Sequence, residues 1–287
     1  MVAVIKRAAN LERNNVEEKI TRMIMANFMD ICSTKQGCSV VQTGLEYFFS
    51  SNKVMLAEQL LELDSMEQFT ALWVQGSHIF SMMLGLLDES SLTMVGFALS
   101  GQYVTLSSHI RHYKPVKALL ISLVNTEGFV EILPELEQEL ISLACNKFGH
   151  FIVSALLQNT PTVIKTRLVS LFSGHIATLS THQVCHQVIV TALEEGVDGT
   201  QAAFIEEVCT VSNNQADMAV VKLTKDRYGH LVVLAMLKVS RHKQVHNLLK
   251  ASILCKQDDV VENEFAAKVL KTIKTEFHSR TAGNYSK

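Results

Sequence analysis

The stretch Asn146-Lys-Phe-Gly-His-Phe-Ile-Val-Ser-Ala-Leu-Leu-Gln158 returns later in the chain as Asp226-Arg-Tyr-Gly-His-Leu-Val-Val-Leu-Ala-Met-Leu237. With Gly149 as an anchor, the same apolar positions recur at intervals of 36 to 44 residues. The complete set of anchors is Gly37, Gly76, His112, Gly149, Cys185, Gly229 and Ala266. A period of this length is typical of a solenoid, in which each repeat buries its apolar face against its neighbours.

The composition agrees with a packed helical solenoid. Of 287 residues, 48% are hydrophobic, 19% are charged and three are proline, so the chain can bury a continuous core. Because a solenoid grows by adding repeats, we expect one elongated all-α repeat domain over residues 1–277 rather than two globular domains. Residues 278–287 have no apolar period and are expected to form a flexible tail.

Several classes of protein are disfavoured by simple patterns. The longest apolar runs, such as residues 118–121, are far below the roughly 18 residues of a membrane span. The first residues lack the long apolar core of a secretory signal. The six cysteines form no C-x-x-C pair or disulfide framework and are expected to be reduced. We therefore expect an intracellular protein in the cytoplasm, with the nucleus or nucleolus as alternatives.

Helical spacing of apolar residues places the first elements. It predicts one helix over residues 15–32, a second over 38–46, an amphipathic helix over 54–63 and another over 69–87. Residues 101–109 could form a short strand, but residues 174–182 have the same form before another anchor, which favours a helix end and turn. Repetition along the chain here outweighs local propensity.

Proline and polar residues predict where later helices begin. Pro115, three residues after the anchor His112, fits the first turn of a helix. Thr160 is expected to cap a helix whose first residue is Pro161. Residues 212–216 are expected to form a polar connection.

The repeated helix has two faces. At about 100° per residue, the third, fourth, seventh and eighth positions after the anchor (+3, +4, +7 and +8) share a core face, and positions +1, +2 and +5 share the opposite face. The predicted outward side chains are Cys38, Ser39 and Gln42; Ser77, His78 and Ser81; Tyr113, Lys114 and Lys117; His150, Phe151 and Ser154; His186, Gln187 and Val190; His230, Leu231 and Leu234.

The pattern resembles the Pumilio (PUF) family of RNA-binding repeat proteins, in which each repeat presents two edge-reading side chains and one stacking side chain to a base. The resemblance rests on Gln36-Gly-Cys-Ser-Val-Val-Gln42, Gly76-Ser-His-Ile-Phe80, Phe148-Gly-His-Phe-Ile-Val153 and Tyr228-Gly-His-Leu-Val-Val233. It covers about residues 15 to 277, with Phe265-Ala-Ala-Lys-Val-Leu270 matching a terminal capping repeat. It implies a curved α-solenoid of Pumilio-type helical repeats.

The resemblance also implies roles for single residues. Cys38 and Gln42 match an adenine-type pair, and His78 and Phe151 match stacking positions. Two stacking contacts contribute roughly 2–6 kcal/mol, below the ~8 kcal/mol of micromolar binding, so Lys114 and Lys117 are expected to contact phosphates. The predicted RNA-binding set is Cys38, Ser39, Gln42, Ser77, His78, Ser81, Tyr113, Lys114, Lys117, His150, Phe151, Ser154, His186, Gln187 and His230. Val190 and Leu234 cannot hydrogen-bond to a base edge.

Catalytic and metal signatures are missing from the sequence. It contains no phosphate-binding G-x-x-x-x-G-K motif and no H-E-x-x-H motif, so we expect no enzyme, no cofactor and no metal. The stretch His182-Gln-Val-Cys-His186 has zinc-ligand residue types but no evident further ligands. Cys145 and Cys185 are expected to be small buried residues rather than nucleophiles.

Three functional hypotheses follow from the sequence. The first is a monomeric protein that binds mRNA 3′ untranslated regions through its concave helix face and regulates translation or stability, with effector proteins on the convex face. The second is a protein-interaction scaffold that has lost base reading. The third is a binder of structured RNA without base preference, whose affinity would be salt-sensitive.

Overall fold

The computed structural model describes residues 14–196, 198–210, 219–240, 243–255 and 263–282, in which every regular element is helical. The expected polar connection at 212–216 lies outside these ranges. The α-helices are α1 Asn14–Ala26, α2 Phe28–Cys32, α3 Lys35–Tyr47, α4 Ser50–Ala57, α5 Met66–Leu84, α6 Glu89–Ala98, α7 Tyr103–Ser107, α8 Tyr113–Leu123, α9 Glu127–Gln138, α10 Leu140–Cys145, α11 Gly149–Asn159, α12 Thr162–Ser170, α13 Ile176–Thr181, α14 Cys185–Glu195, α15 Asp198–Cys209, α16 Ala219–Lys225, α17 Gly229–Val239, α18 Lys243–Leu254 and α19 Glu264–Ala282.

The helices group into two compact units: unit 1 is Met1–Glu139 and unit 2 is Leu140–Lys287. The sequence had suggested one domain. A repeat consists of a long first helix, a short second helix and a third helix that begins near an anchor, as in α6, α7 and α8 or α12, α13 and α14. We call the third helices ladder helices. In unit 1, α3 packs on α5 and α5 on α8; in unit 2, α11 packs on α14 and α14 on α17. This stacking confirms the helical solenoid.

The anchors lie at the starts of the ladder helices. Gly149, Cys185 and Gly229 are the first residues of α11, α14 and α17. Gly76 interrupts α5 with φ −116° and ψ 23°, so the ladder helix of that repeat is the second half of α5. His112 immediately precedes α8, and Pro115 lies in its first turn as predicted. The register read from the sequence is therefore that of the fold.

A capping side chain three residues before the anchor explains where five of these helices begin. The Asn146 side-chain oxygen accepts hydrogen bonds from the backbone N–H groups of Phe148 (2.8 Å) and Gly149 (3.0 Å). Such a cap satisfies helix N–H groups that have no partner within the helix. The equivalent position carries Thr34, His182, Asp226 and Asn263, each of which accepts from the anchor's backbone N–H. The sequence stretch contained this cap, but its role was not predicted.

Two loops before short helices are built alike, as the repetition predicted. Gly101 and Gly174 have φ of 78° and 84°, a conformation that glycine adopts without steric cost. The Glu135 carboxylate accepts from the backbone N–H of Gly101 at 2.7 Å, and the Glu207 carboxylate does the same for Gly174 at 2.7 Å. Both stretches consist of a turn followed by a complete short helix, α7 or α13, rather than by a helix end, and neither is a strand.

Several predicted boundaries were wrong. The expected helix over 15–32 is two helices, α1 and α2, separated at Asn27 with φ −135°. The helix expected over 54–63 is α4, which begins at Ser50 and gives way after Ala57 to a 3₁₀ turn, and the helix expected over 69–87 is α5, Met66–Leu84. Helix α19 continues to Ala282, beyond the boundary expected at 277.

The predicted cap at Thr160 was also wrong. Thr160 ends α11, where its hydroxyl donates to the Leu156 carbonyl at 2.7 Å, and Pro161 precedes the first residue of α12. Proline lies one position earlier than expected because its ψ of 152° is extended rather than helical.

The predicted core face is confirmed in the repeats anchored at Gly149, Cys185 and Gly229. Its side chains are at most 2% exposed: Ile152, Val153, Leu156, Leu157, Val188, Ile189, Ala192, Leu193, Val232, Val233, Met236 and Leu237. Burying such a side chain contributes roughly 1.5–3 kcal/mol relative to leaving it exposed. The apolar face of the ladder helices therefore holds each unit together.

Candidate functional site

Position +2 is the outward position of the ladder helices. Its side chain is exposed in every repeat: Ser39, His78, Lys114, Phe151, Gln187 and Leu231. Position +5 is half-exposed or exposed: Gln42, Ser81, Lys117, Ser154, Val190 and Leu234. These two rows form the accessible surface of the predicted site within each unit.

The sequence predicted that position +1 points outward, but in the structure this position is largely buried. Cys38, His150, His186 and His230 are 2%, 9%, 5% and 4% exposed, while Ser77 and Tyr113 are half-buried. On a helical wheel, position +1 lies at about 100° and the core position +8 at about 80°, so the two are neighbours. The correct outward pair is +2 and +5.

Two of these buried histidines pack between consecutive repeats. The His186 ring stacks on Tyr228 with 4.9 Å between centroids, and His230 stacks on Phe265 at the same separation. Each aromatic partner lies one residue before the next anchor. Such pairs contribute about 0.5–1.5 kcal/mol beyond their buried area. In this structure both rings pack between repeats, and their contact with RNA stays a prediction.

A hydrogen bond fixes the orientation of the buried rings. His186 Nδ1 lies 3.1 Å from the His182 carbonyl oxygen and His230 Nδ1 lies 3.1 Å from that of Asp226. His150 Nδ1 has the same relation to Asn146 at 3.2 Å, and its ring lies 3.9 Å from that of Phe151. Because a carbonyl only accepts, each Nδ1 carries the proton.

In unit 1, two predicted base-contacting side chains already meet. His78 Nε2 lies 3.1 Å from Gln42 Oε1, and the Gln42 amide donates to Glu46 Oε1 at 2.8 Å. The amide oxygen accepts, so His78 donates through Nε2. This chain holds the exposed His78 ring beside a polar +5 side chain. A planar ring next to an amide can stack on one base and hydrogen-bond to its edge.

The cations in the second part of unit 1 lie close together in sequence. Between residues 54 and 139 the Lys and Arg residues are Arg111, Lys114 and Lys117, and none of the Asp and Glu residues of this range lies on α8. Lys114 is exposed and Lys117 is half-exposed on α8. Within the described ranges neither ammonium group forms an ion pair. They are available for an anionic ligand.

Three aromatic rings lie together at the N-terminal end of α8. His112 stacks on His109 with 4.1 Å between centroids and lies 5.7 Å from Trp73. Burial lowers the pKa of His112 below its ordinary value of 6.5, and the positive charges of His109 and Arg111 lower it further. The neutral ring is therefore favoured near neutral pH.

The cysteine thiols have the properties of core residues. Burial raises the pKa of Cys32 to about 12 and that of Cys209 to about 11, so these thiols are protonated at neutral pH. The Cys38 thiol donates to the Cys32 carbonyl at 3.2 Å and also has a pKa raised by burial. Cys38 is 2% exposed, and its predicted contact with a base stays a prediction. All six cysteines are free thiols.

The described residues lack the features of a metal site and of a membrane span. They contain no group of three or more His, Cys, Asp or Glu side chains placed to hold a metal ion. His182, a predicted zinc-ligand type, instead uses Nδ1 to accept from the Cys185 backbone N–H. None of the described helices combines the length and apolarity that crossing a membrane requires.

The corresponding surface of unit 2 has more apolar side chains than that of unit 1. Between α14 and α17 lies a cavity of about 450 Å³ lined by His186, Gln187, Val190, Glu194, Leu231, Leu234, Ala235 and Lys238. Phe151 and Leu231 are 42% and 41% exposed. The +5 side chains Val190 and Leu234 offer no hydrogen bond to a base edge, as the sequence indicated.

The fold is that of solved Pumilio RNA-binding domains. PUF-8 in complex with PBE-RNA matches with a TM-score of 0.82 and 14% identity, covering 96% of this chain and 78% of that one. The Puf3 domain bound to a Cox17 RNA 3′ UTR recognition sequence gives 0.76 and 18%, covering 94% and 80%. The domain of yeast Puf5p bound to SMX2 RNA gives 0.73 and 16%, covering 96% and 82%. No protein-family model and no curated protein sequence matches the chain.

Proposed function

We propose that this chain, which has the Pumilio fold, binds single-stranded RNA through the polar and aromatic +2 and +5 side chains of its ladder helices. The observation that carries the proposal is the exposed His78 ring held 3.1 Å from Gln42 in unit 1. An exposed ring beside an amide has the two properties that recognition of an unpaired base requires, stacking and edge hydrogen bonding. The RNA-bound state of the solved domains that share the fold supports the same function.

Lys114 and Lys117 are the proposed phosphate contacts. They are two of the three cationic side chains between residues 54 and 139 and lie at the +2 and +5 positions of α8. Each phosphate contact with a single strand contributes a slope of about −0.7 to the dependence of log affinity on log salt. This electrostatic term supplements the stacking energy of His78 and Phe151.

The finer biological role is proposed from the same resemblance. The chain would act as a monomer on elements in mRNA 3′ untranslated regions and regulate translation or mRNA stability in the cytoplasm. It would recruit effector proteins through the first helix of its repeats, on the side away from the ladder helices. It would carry out no catalysis of its own.

Selection of RNA from a random pool on the purified protein tests the proposal. We expect a short enriched motif, and lower affinity for the Lys114→Glu, Lys117→Glu double variant with a salt slope reduced by about 1.4. The matched control is Lys19→Glu with Lys53→Glu, which makes the same charge change on the first helices α1 and α4. Absence of RNA binding would refute the function, and binding without an enriched motif would favour recognition of structure or charge.

A further inference from the structure

The groove between α14 and α17 of unit 2 has a chemistry unlike that of the proposed RNA contacts. It holds about 450 Å³ and its walls are formed mainly by Val190, Leu231, Leu234 and Ala235. Leu231 is 41% exposed, although leucine is stabilised by burial. An apolar concavity on an exposed surface is typical of a binding site.

The charges at the groove are already paired. Glu194 and Lys238 lie at its edge and form an ion pair with 2.9 Å between the Lys238 Nζ and Glu194 Oε1 atoms. The neighbouring Glu195 pairs with Lys165 at 3.1 Å. The groove therefore offers a phosphate chain no unpaired lysine, in contrast to Lys114 and Lys117 of unit 1. An uncharged apolar ligand therefore fits the groove better than a polyanion does.

Hydrogen bonding also favours an apolar polypeptide over RNA as the occupant of the groove. A base pressed edge-on against Val190 and Leu234 would leave donors and acceptors without partners, and each such group costs about 1–3 kcal/mol. Aliphatic side chains would incur no such cost and would cover Leu231. From His186 to Glu194 the wall of α14 runs about 12 Å, roughly two helical turns.

We propose that this groove docks the apolar face of a partner polypeptide, a segment of about two helical turns that inserts aliphatic or aromatic side chains between α14 and α17. The mode is a helix in a groove, in which anchors spaced three and four residues apart provide the binding energy. The Glu194–Lys238 pair at the edge would fix the orientation of the segment through its polar side chains.

Selection from a library of random 12-residue peptides displayed on phage, with the full-length protein as bait, tests this proposal. We expect enriched peptides that carry apolar residues three or four positions apart. In the unsubstituted protein they should shift the methyl NMR signals of Val190, Leu231 and Leu234. Failure to enrich such peptides, or shifts confined to other methyl groups, would overturn the proposal.

A matched pair of variants supplies the second readout. Leu231→Asp should weaken the selected peptides at least tenfold, whereas Leu248→Asp, at a leucine 42% exposed on α18, should change affinity less than twofold. Equal effects of the two variants would refute docking in the groove. A uridine oligonucleotide serves as the nucleic-acid arm: if it displaces the peptides and loses tenfold affinity in Leu231→Asp, the groove is an RNA site instead.

Discussion

The ladder helices of the two units share a core pattern but differ in their outward side chains. In unit 1 the +2 and +5 residues are all polar: Ser39, Gln42, His78, Ser81, Lys114 and Lys117. In unit 2 they are mixed, with Phe151, Leu231, Val190 and Leu234 apolar and Ser154 and Gln187 polar. Outward positions contribute little to packing, so their chemistry can change while the repeat stays intact. The units are thus suited to different ligands.

The largest expected effect concerns the anchors. A Cβ atom at Gly149 would lie 2.6 Å from the Leu143 backbone oxygen, whereas one at Gly76 would meet side chains at 3.1 Å or more. Gly149→Ala in unit 2 should therefore lower the free energy of unfolding by up to about 3 kcal/mol, because a backbone group must move. Gly76→Ala in unit 1 should change it by less than about 1 kcal/mol, since the Leu72 side chain can adjust. Chemical denaturation of both variants measures the difference, and equal losses would show that the anchors are equivalent.

The next effect sharpens the difference in RNA contact. His78→Ala in unit 1 should weaken RNA binding by about 2 kcal/mol, roughly thirtyfold, through loss of stacking. Leu231→Ala, at the same +2 position in unit 2, should change RNA affinity less than twofold. Fluorescence anisotropy with a selected RNA compares the two. Similar losses in both variants would mean that both units bind RNA in the same way.

A smaller effect separates the buried +1 side chains. His230→Leu keeps an apolar side chain of similar size but removes the stack on Phe265, and should lower the free energy of unfolding by about 1 kcal/mol. Ser77→Ala, at the half-buried +1 position of unit 1, should stay within about 0.5 kcal/mol of the parent. Thermal unfolding followed by circular dichroism checks both. An unchanged His230→Leu variant would contradict the packing role.

The smallest expected effect is a titration in unit 1. His109→Asn should raise the pKa of His112 by removing the neighbouring positive charge, yet leave it below 6.5 because burial, the largest cause, remains. Asparagine can accept from the Arg111 backbone N–H, as His109 Nδ1 does at 3.3 Å. NMR titration of the His112 ring measures the shift, and an unchanged or lower value would exclude the charge of His109 as a cause.

The free energy of unfolding should fall as the pH falls, because the pKa of His112 is lowered in the folded state. Because the folded-state pKa of His112 is depressed, the unfolded chain binds more protons as pH falls below about 6.5, and the fold loses stability through that window. The loss attributable to His112 should be smaller in His109→Asn. Thermal unfolding between pH 7 and pH 5 compares the variant with the parent.

Periodicity predicted the parts of the structure that depend on repeated burial. The anchors Gly149 and Gly229 and the core residues that follow them were found because each repeat must bury the same face. The break at Asn27 and the end of α11 at Thr160 were not predicted, because they depend on local hydrogen bonds within single repeats. The cap at Asn146 was within reach of the sequence, since capping residue types recur three positions before the anchors.

By itself the sequence determined the helical repeat, its register and the outward position of Ser39, His78 and Phe151, because spacing along a helix fixes direction. Only the tertiary structure decided that His186 and His230 are buried, because the rings that cover them come from the next repeat. It also decided that Gln42 and His78 meet and that Val190 and Leu234 line one groove. Contacts between repeats depend on how neighbouring helices pack, which no pattern within a single repeat contains.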